Sequence, residues 1–179
     1  GLLLSVAPDY KLVLSNPATG NNLDLTRPMT VAGFTPSPSR RALVFANRWV
    51  TLDFREGGKL SFHTTTLPAA IREGRAVWSP DETHLAFQGQ DGAVWLVGLD
   101  GKGVMIPDAS TLPEWSYNGA WLSYCTADGG LWLVGSGSAP EKIAAAGTCD
   151  HSWSSGQDLL AYTAKAADGV IRNEGGGQD

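Results

Sequence analysis

Residues 78–87 read Trp78-Ser79-Pro80-Asp81-Glu82-Thr83-His84-Leu85-Ala86-Phe87, the order expected of a strand end, a tight turn and a returning strand. Pro and Asp favour turn positions, and the apolar run after them suits a half-buried strand. Working outward, Asp91-Gly92 is a second turn signal, because Asp and Gly tolerate positive φ, and Val94-Trp95-Leu96-Val97 follows as a third strand. Another Gly-rich turn leads to Gly103-Val104-Met105-Ile106, a fourth. One continuous segment therefore reads as four antiparallel strands joined by hairpins.

The same pattern recurs as FTPSPSRRALVF from Phe34, WSYNGAWLSY from Trp115 and WSSGQDLLAY from Trp153, with anchor aromatics 44, 37 and 38 residues apart. DGGLWLVGSGS from Asp128 repeats DGAVWLVGLDG from Asp91, and each Asp precedes the next anchor by 24 or 25 residues. Asp9 stands 25 residues before Phe34, so APDYKLVLSNPATGNNLDL (7–25) is a further copy. Four-stranded units at these periods are the signature of propeller blades. The expectation is an all-β chain, a β-propeller or propeller fragment of about four to five four-stranded antiparallel blades. It forms one domain over residues 1–179, with approximate repeats 1–30, 31–74, 75–111, 112–148 and 149–172 and a flexible tail at 173–179. Leu2 to Val6 match the strand Leu122 to Cys125, so both chain ends are expected inside blades. Two arrangements fit, a ring closed from its two ends or a piece of a longer propeller, and the low blade number favours the piece.

The interval from Phe34 to Trp78 exceeds the next by seven residues. Gly57-Gly58 marks its outer turn, and the surplus falls in HTTTLPAAIREGR (63–75) or in longer strands. A binding loop and a merely longer hairpin both account for it.

At 42% apolar and 17% charged residues, the chain carries enough apolar material for a core and too little charge for disorder. A formal charge of −5, with no basic cluster beyond Arg40-Arg41, excludes nucleic acid as the expected partner. No apolar run approaches the ~20 residues of a membrane helix, and GLLLSVAP at the start lacks the features of a signal peptide. Cys125 ends a second strand and Cys149 begins the next first strand, on the same blade face. A disulfide between them is geometrically sensible and would indicate an oxidising compartment, while two unlinked core thiols are the other reading.

The segment from Trp78 to Ile106 resembles the TolB-type, WD40-like repeat of bacterial β-propellers, whose consensus runs W-S-P-D-G-K-x-I-A-F followed by I-Y-V-x-D. Trp78, Ser79, Pro80 and Asp81 match it, as do Leu85, Ala86 and Phe87, whereas Glu82 stands where Gly is usual. Trp115, Ser116, Asn118 and Gly119, and Trp153, Ser154 and Gly156, are partial matches, and Phe34 replaces Trp in the second copy. The resemblance implies a propeller. It is compatible with an envelope-complex component, with a sensor domain, and with the propeller of a prolyl-oligopeptidase-type peptidase, because one fold hosts many activities.

Local signatures of hydrolases, zinc enzymes, nucleotide binders and redox proteins are missing from the sequence. His63, His84 and His151 fall at different blade positions, and no cofactor or metal is expected. Trp78, Trp115 and Trp153 occupy the anchor and Trp95 and Trp132 one third-strand position, which reads as packing between sheets. Trp49 and Trp121 lie outside both registers and are the candidates for exposed, partner-anchoring aromatics. Arg75, Glu114, Asp150 and His151 precede the anchors, where first strands approach one mouth of the central channel, and are the candidate polar groups of a site there. The function expected is a non-catalytic module presenting loops and a channel mouth to a protein or peptide, in the periplasm or outside the cell. The alternatives are a peptidase's gating propeller, which needs a hydrolase domain elsewhere, and a carbohydrate-binding propeller, which repeated exposed aromatics at matching blade positions would support and burial of Trp95 and Trp132 would weaken.

Overall fold

Eighteen strands form five antiparallel sheets among the described residues, and every sheet pairs its strands in chain order. The computed structural model describes residues 3–6, 12–18, 20–24, 34–54, 60–135, 138–144, 149–165 and 171–176. Blade one holds β1 (Leu3–Val6), β2 (Leu12–Asn16) and β3 (Asn21–Asp24). Blade two holds β4 (Thr35–Pro36), β5 (Ala42–Phe45), β6 (Arg48–Phe54) and β7 (Leu60–Thr66). Blade three holds β8 (Ile71–Trp78), β9 (His84–Gly89), β10 (Val94–Gly98) and β11 (Gly103–Ile106). Blade four holds β12 (Glu114–Trp115), β13 (Trp121–Cys125), β14 (Leu131–Gly135) and β15 (Glu141–Ala144), and blade five β16 (His151–Trp153), β17 (Leu160–Lys165) and β18 (Ile171–Gly176). This is the all-β propeller architecture. No helix among the described residues is long and apolar enough to cross a membrane.

The first turns of blades two, three and four are each built around one serine. Ser37, Ser79 and Ser116 are buried, and each backbone N–H donates to the carbonyl five residues on, at 2.8, 2.9 and 2.9 Å. Their hydroxyls accept the backbone N–H groups of Ala42, His84 and Trp121 at 3.2, 2.9 and 3.1 Å. The residue three positions after each serine sits in the left-handed region: Arg40 at φ 60, Glu82 at φ 58 and Gly119 at φ 76. Gly is usual there because it alone adopts that conformation without a steric cost. Glu82 takes the costly choice, and the reason lies in its side-chain contacts described below.

Strand register corrects the alignment of the second copy. Trp78, Trp115 and Trp153 pair with Leu85, Leu122 and Leu160, and the residue that pairs equivalently with Leu43 is Pro36. Pro36 thus holds the anchor position and Phe34 lies two residues before it, packed beside Leu14 and Phe45 in the neighbouring cluster. Proline at the last position of a sheet-edge strand costs no ladder bond, which permits the exchange. The surplus length of this copy goes into β6 and β7, seven residues each, and into a bulge in β8 between Ile71 and Ala76. The expected turn at Gly57-Gly58 lies outside the described residues. Asn173–Gly176, expected as tail, continues β18 in register with Leu160–Thr163.

The core is divided among the blade junctions. Leu14 meets Leu43, Phe45, Val50 and Leu52 between blades one and two, and Val44 and Trp49 meet Leu85, Phe87 and Val97 between two and three. Ala86, Val94 and Ile106 meet Leu122 and Tyr124 between three and four, and Leu131, Ala144 and Cys125 meet Leu160 between four and five. The alternating apolar residues of β5, β9 and β13 therefore serve two junctions each, one from each face.

Candidate functional site

Two surfaces carry exposed groups that the blades hold in place: the inner edge strands and the rim of first turns. The edge strands β8, β12 and β16 neighbour one another, since the Trp115 indole Nε1 donates to the Val77 carbonyl at 3.4 Å and β12 lies against β16. Arg75 on β8, Glu114 on β12 and Asp150, just before β16, are all exposed on these inner strands or beside them. Asp150 is fixed through its backbone, its carbonyl accepting from Thr163 N at 3.0 Å.

Arg75 belongs to the β8 bulge, whose residues Arg72, Glu73, Gly74 and Arg75 are all exposed. Gly74 takes φ +68 with no atom within 4 Å of a Cβ built on it, so backbone geometry, not crowding, calls for glycine. Bulges re-aim side chains and gather beside functional sites. Arg72 and Glu73 escaped the sequence reading although an isolated Gly inside a strand pattern is their signal.

His151 departs from the expectation of a channel-mouth group. It is half-buried, with Nδ1 3.3 Å from the Cys149 carbonyl oxygen and 3.8 Å from Cys125 Sγ. The structure joins Cys125 and Cys149 by a disulfide with a Cα separation of 6.0 Å. Buried Cys125 anchors it in β13, and half-buried Cys149 brings the approach to β16 against blade four.

Trp49 is not an exposed aromatic. It is 1% exposed, and its ring meets that of Trp78 edge-on with centroids 4.8 Å apart. The hairpin before it turns on only two residues, Ala46 and Asn47, between the paired Phe45 and Arg48, whereas Asp-Gly turns close the equivalent hairpins of blades three and four. Trp49 consequently occupies the third-strand position of Leu96, facing the next blade, as the pairings Val44 with Trp49 and Ala86 with Leu96 show. Trp121 is half-buried at the start of β13, and a Cβ at Gly135 would lie 3.0 Å from its ring. Trp95 and Trp132 pack against core clusters with buried ring nitrogens, and Lys142 stands 5.8 Å over the Trp132 ring.

The first-turn rim holds what the sequence did not reveal. Tyr117 is 55% and Leu159 45% exposed, one on the turn of blade four and the other on that of blade five. Asp158 Oδ1 accepts the Asn118 N–H at 2.9 Å and ties these two turns together, beside Trp121. Blades two and three are tied similarly, Glu82 accepting the Ser39 N–H and, at 2.6 Å, its hydroxyl. Partial burial works to raise the Glu82 pKa, but the Ser39 bonds outweigh it and hold the carboxyl below its usual value. Asp81 is lowered chiefly by the Ser79 hydroxyl, and Asp128 to about 2, chiefly by the Thr126 hydroxyl and then the Gly130 N–H. These carboxylates serve turns, and Asp128 also meets Lys142 Nζ at 3.4 Å. The Asp158–Asn118 and Glu82–Ser39 ties bridge residues 40 and 43 positions apart, so no local motif announces them.

No protein-family model matches the chain, and no curated protein matches it either. Solved structures do. The β-propeller domain of Myceliophteria thermophila Cps50 (Swd1) aligns at 17% identity and TM-score 0.52, over 96% of this chain and 61% of that one. The C-terminal WD40 domain of Sif2 aligns at 14% identity and TM-score 0.52, over 98% and 54%. The dihydro-heme d1 dehydrogenase NirN, in complex with DHE, aligns at 15% identity and TM-score 0.57, over 92% and 40%. The chain thus spans between 40% and 61% of the length of these structures. What it shares with the Cps50 and Sif2 domains is the β-propeller fold.

Proposed function

We propose that this chain is a non-catalytic binding module of the TolB-like, WD40-like kind that presents its first-turn rim and channel mouth to a protein or peptide partner in the cell envelope. The observation that carries the reading is the rim pair Tyr117 and Leu159, exposed at 55% and 45% on turns locked to each other by Asp158 and Asn118. Large apolar anchors on a rigid frame bind at little entropic cost, and aromatic residues dominate interface hot spots. Arg75, Glu114 and Asp150 add exposed charges of both signs on the inner strands, suited to a polar peptide rather than an apolar ligand. The Trp78–Asp81 match supports the TolB-like assignment. The Cys125–Cys149 link supports an oxidising compartment. Trp95 and Trp132 are half-buried against the core clusters, which argues against the repeated exposed aromatic platform that sugar binding needs.

The test compares affinity capture from envelope extract by the wild-type chain and by Tyr117→Ala/Leu159→Ser, with capture by Glu114→Lys/Asp150→Lys alongside. A protein bound by the wild type and weakened at least about tenfold by the rim variant is expected, since hot-spot truncations cost 1–2 kcal/mol or more. Equal capture by all variants with unchanged thermal stability sinks the reading, and turnover of the captured molecule would replace it with an enzyme.

A further inference from the structure

The fourth and fifth blades bring together three groups whose chemistry the binding role does not use. Cys125 Sγ, Cys149 Sγ and a ring nitrogen of His151 all lie within 4.8 Å of one another. His151 Nδ1 stands 3.8 Å from Cys125 Sγ, close to the N···S edge of about 3.6 Å that follows from tetrahedral Zn–N and Zn–S bonds. The sulfurs need an edge of about 3.8 Å in such a site, which side-chain rotation supplies once their bond is open. Their Cα atoms, 6.0 Å apart, need not move far. His151 Nδ1 also lies 3.3 Å from the Cys149 carbonyl oxygen, a contact that a ligating Nδ1 gives up, and the ring proton then sits on buried Nε2, which has no hydrogen-bond partner to lose. Cys149 and His151 are two residues apart on one segment, Cys125 comes from the neighbouring blade, and any cation held by all three bridges the same junction as the disulfide.

We propose that Cys125, Cys149 and His151 form a thiol-gated site for a soft divalent cation of the zinc class: cross-linked when oxidised, Cys2His-ligating when reduced. Cys125 is buried and Cys149 half-buried, so a dithiol reductant attacks Cys149 Sγ. The Cys125–Cys149 bond breaks, its electron pair leaves on Cys125 Sγ, and a mixed disulfide forms at Cys149. The reductant's second thiolate then displaces Cys149, leaving two protein thiols and an oxidised reductant. A divalent cation takes both sulfurs as thiolates and releases two protons, with His151 as third ligand and a solvent molecule as fourth. The junction keeps a cross-link in either redox state, covalent in one and coordinate in the other.

The experiment reduces the full chain with dithiothreitol, removes the reagent by anaerobic desalting and titrates cobalt(II), then zinc. One cobalt per chain is expected, with thiolate-to-cobalt charge-transfer absorption and visible bands of tetrahedral cobalt that zinc abolishes. The oxidised chain is expected to show neither. His151→Gln is expected to weaken binding at least about tenfold, because even groups that only orient metal ligands cost that much. Cys149→Ser is expected to lose the charge-transfer band. Far-ultraviolet circular dichroism of each reduced chain accompanies the titration. A folded reduced chain without the band overturns the proposal, as does equal binding by His151→Gln. A reduced chain that unfolds and does not refold on adding zinc overturns it too.

Discussion

The junction between blades two and three and that between blades four and five occupy equivalent places and are sealed by different physics. The first is dry and aromatic, with Trp49 against Trp78, centroids 4.8 Å apart and planes at 83°, amid Leu67, Leu85, Phe87 and Val97. The second buries smaller groups, Cys125, Leu131, Ala144 and Leu160, and relies on directed bonds. There the disulfide crosses, the Trp153 indole donates to Ser123 Oγ at 2.8 Å, and Asp158 caps Asn118. Buried area stabilises without direction, whereas bonds stabilise only with their geometry intact, so the two junctions respond to different insults.

Truncating the aromatic seal is the largest insult. Trp49→Ala deletes a fully buried ring and leaves a cavity between two blades, and is expected to cost about 3–5 kcal/mol in urea unfolding. Trp95→Ala, at a half-buried site, is expected to cost less. Equal losses would mean that the Trp49–Trp78 contact has no special place in the junction.

Opening the covalent seal comes next. The link spans 24 residues, and Cys125→Ser/Cys149→Ser is expected to lower stability by about 3 kcal/mol on the chain-entropy account. Trp153 fluorescence should change with it, since that ring packs in the same cluster. A loss confined to Trp78-side probes contradicts the division of the core into separate junctions.

Ser123→Ala removes both bonds of this hydroxyl, the one accepted from the Trp153 indole and the 3.3 Å one donated to the Glu114 carbonyl, and the cycle with Trp153→Phe isolates the first. The serine change leaves the part-buried Trp153 N–H without its acceptor, at an expected cost of about 1–3 kcal/mol, and Ser123→Ala with Trp153→Phe should cost less than the two single changes added together. Strict additivity would remove the hydrogen bond from the account.

How much of this was legible depended on whether a turn carried its own signal. The Trp78 hairpins were readable because Pro80, Asp91-Gly92 and Asp100-Gly101 mark every reversal, and β9, β10 and β11 fall where those signals put them. Blade two reverses at Ala46-Asn47, with Ala46 at φ 48 and no glycine. Without that turn the reading shifted by two residues, set Phe34 in the place of Pro36 and released Trp49 from the core. On the candidate surface, spacing points to Arg75, Glu114 and Asp150, which are exposed, without assigning them to one site. Tyr117 and Leu159 became visible only through Asp158–Asn118, and His151 turned toward the cysteines because of packing that no short-range pattern encodes.

Acid separates the junctions more gently. Asp128 accepts from Thr126, the residue after Cys125, and from Gly130 N at 3.0 Å, so it braces the turn directly behind the disulfide. Its folded pKa of about 2 lies below the ordinary 3.8, so its stabilising share is complete above the higher value. That share is lost as pH falls toward the lower value. The wild type should therefore lose stability between about pH 4 and 2 more steeply than Asp128→Asn. Parallel acid curves would show that the turn contributes nothing to the polar junction.

The smallest effect tests the turn tie of the aromatic junction, where two opposing terms meet at Glu82. Its backbone stands at φ 58, a conformation that costs a residue with a Cβ about 1 kcal/mol, while its carboxylate gains two bonds from Ser39. Glu82→Ala keeps the strain and loses the bonds, and Glu82→Gly loses both. The glycine variant is thus expected to exceed the alanine variant by about 1 kcal/mol and to lie within about 0.5 kcal/mol of the wild type, since exposed bonds to a carboxylate contribute little. A glycine variant clearly less stable than the wild type would mean that the Ser39 tie outweighs the strain. The dry junction would then also depend on a directed bond, and the contrast with the polar one would narrow to the size of the buried rings.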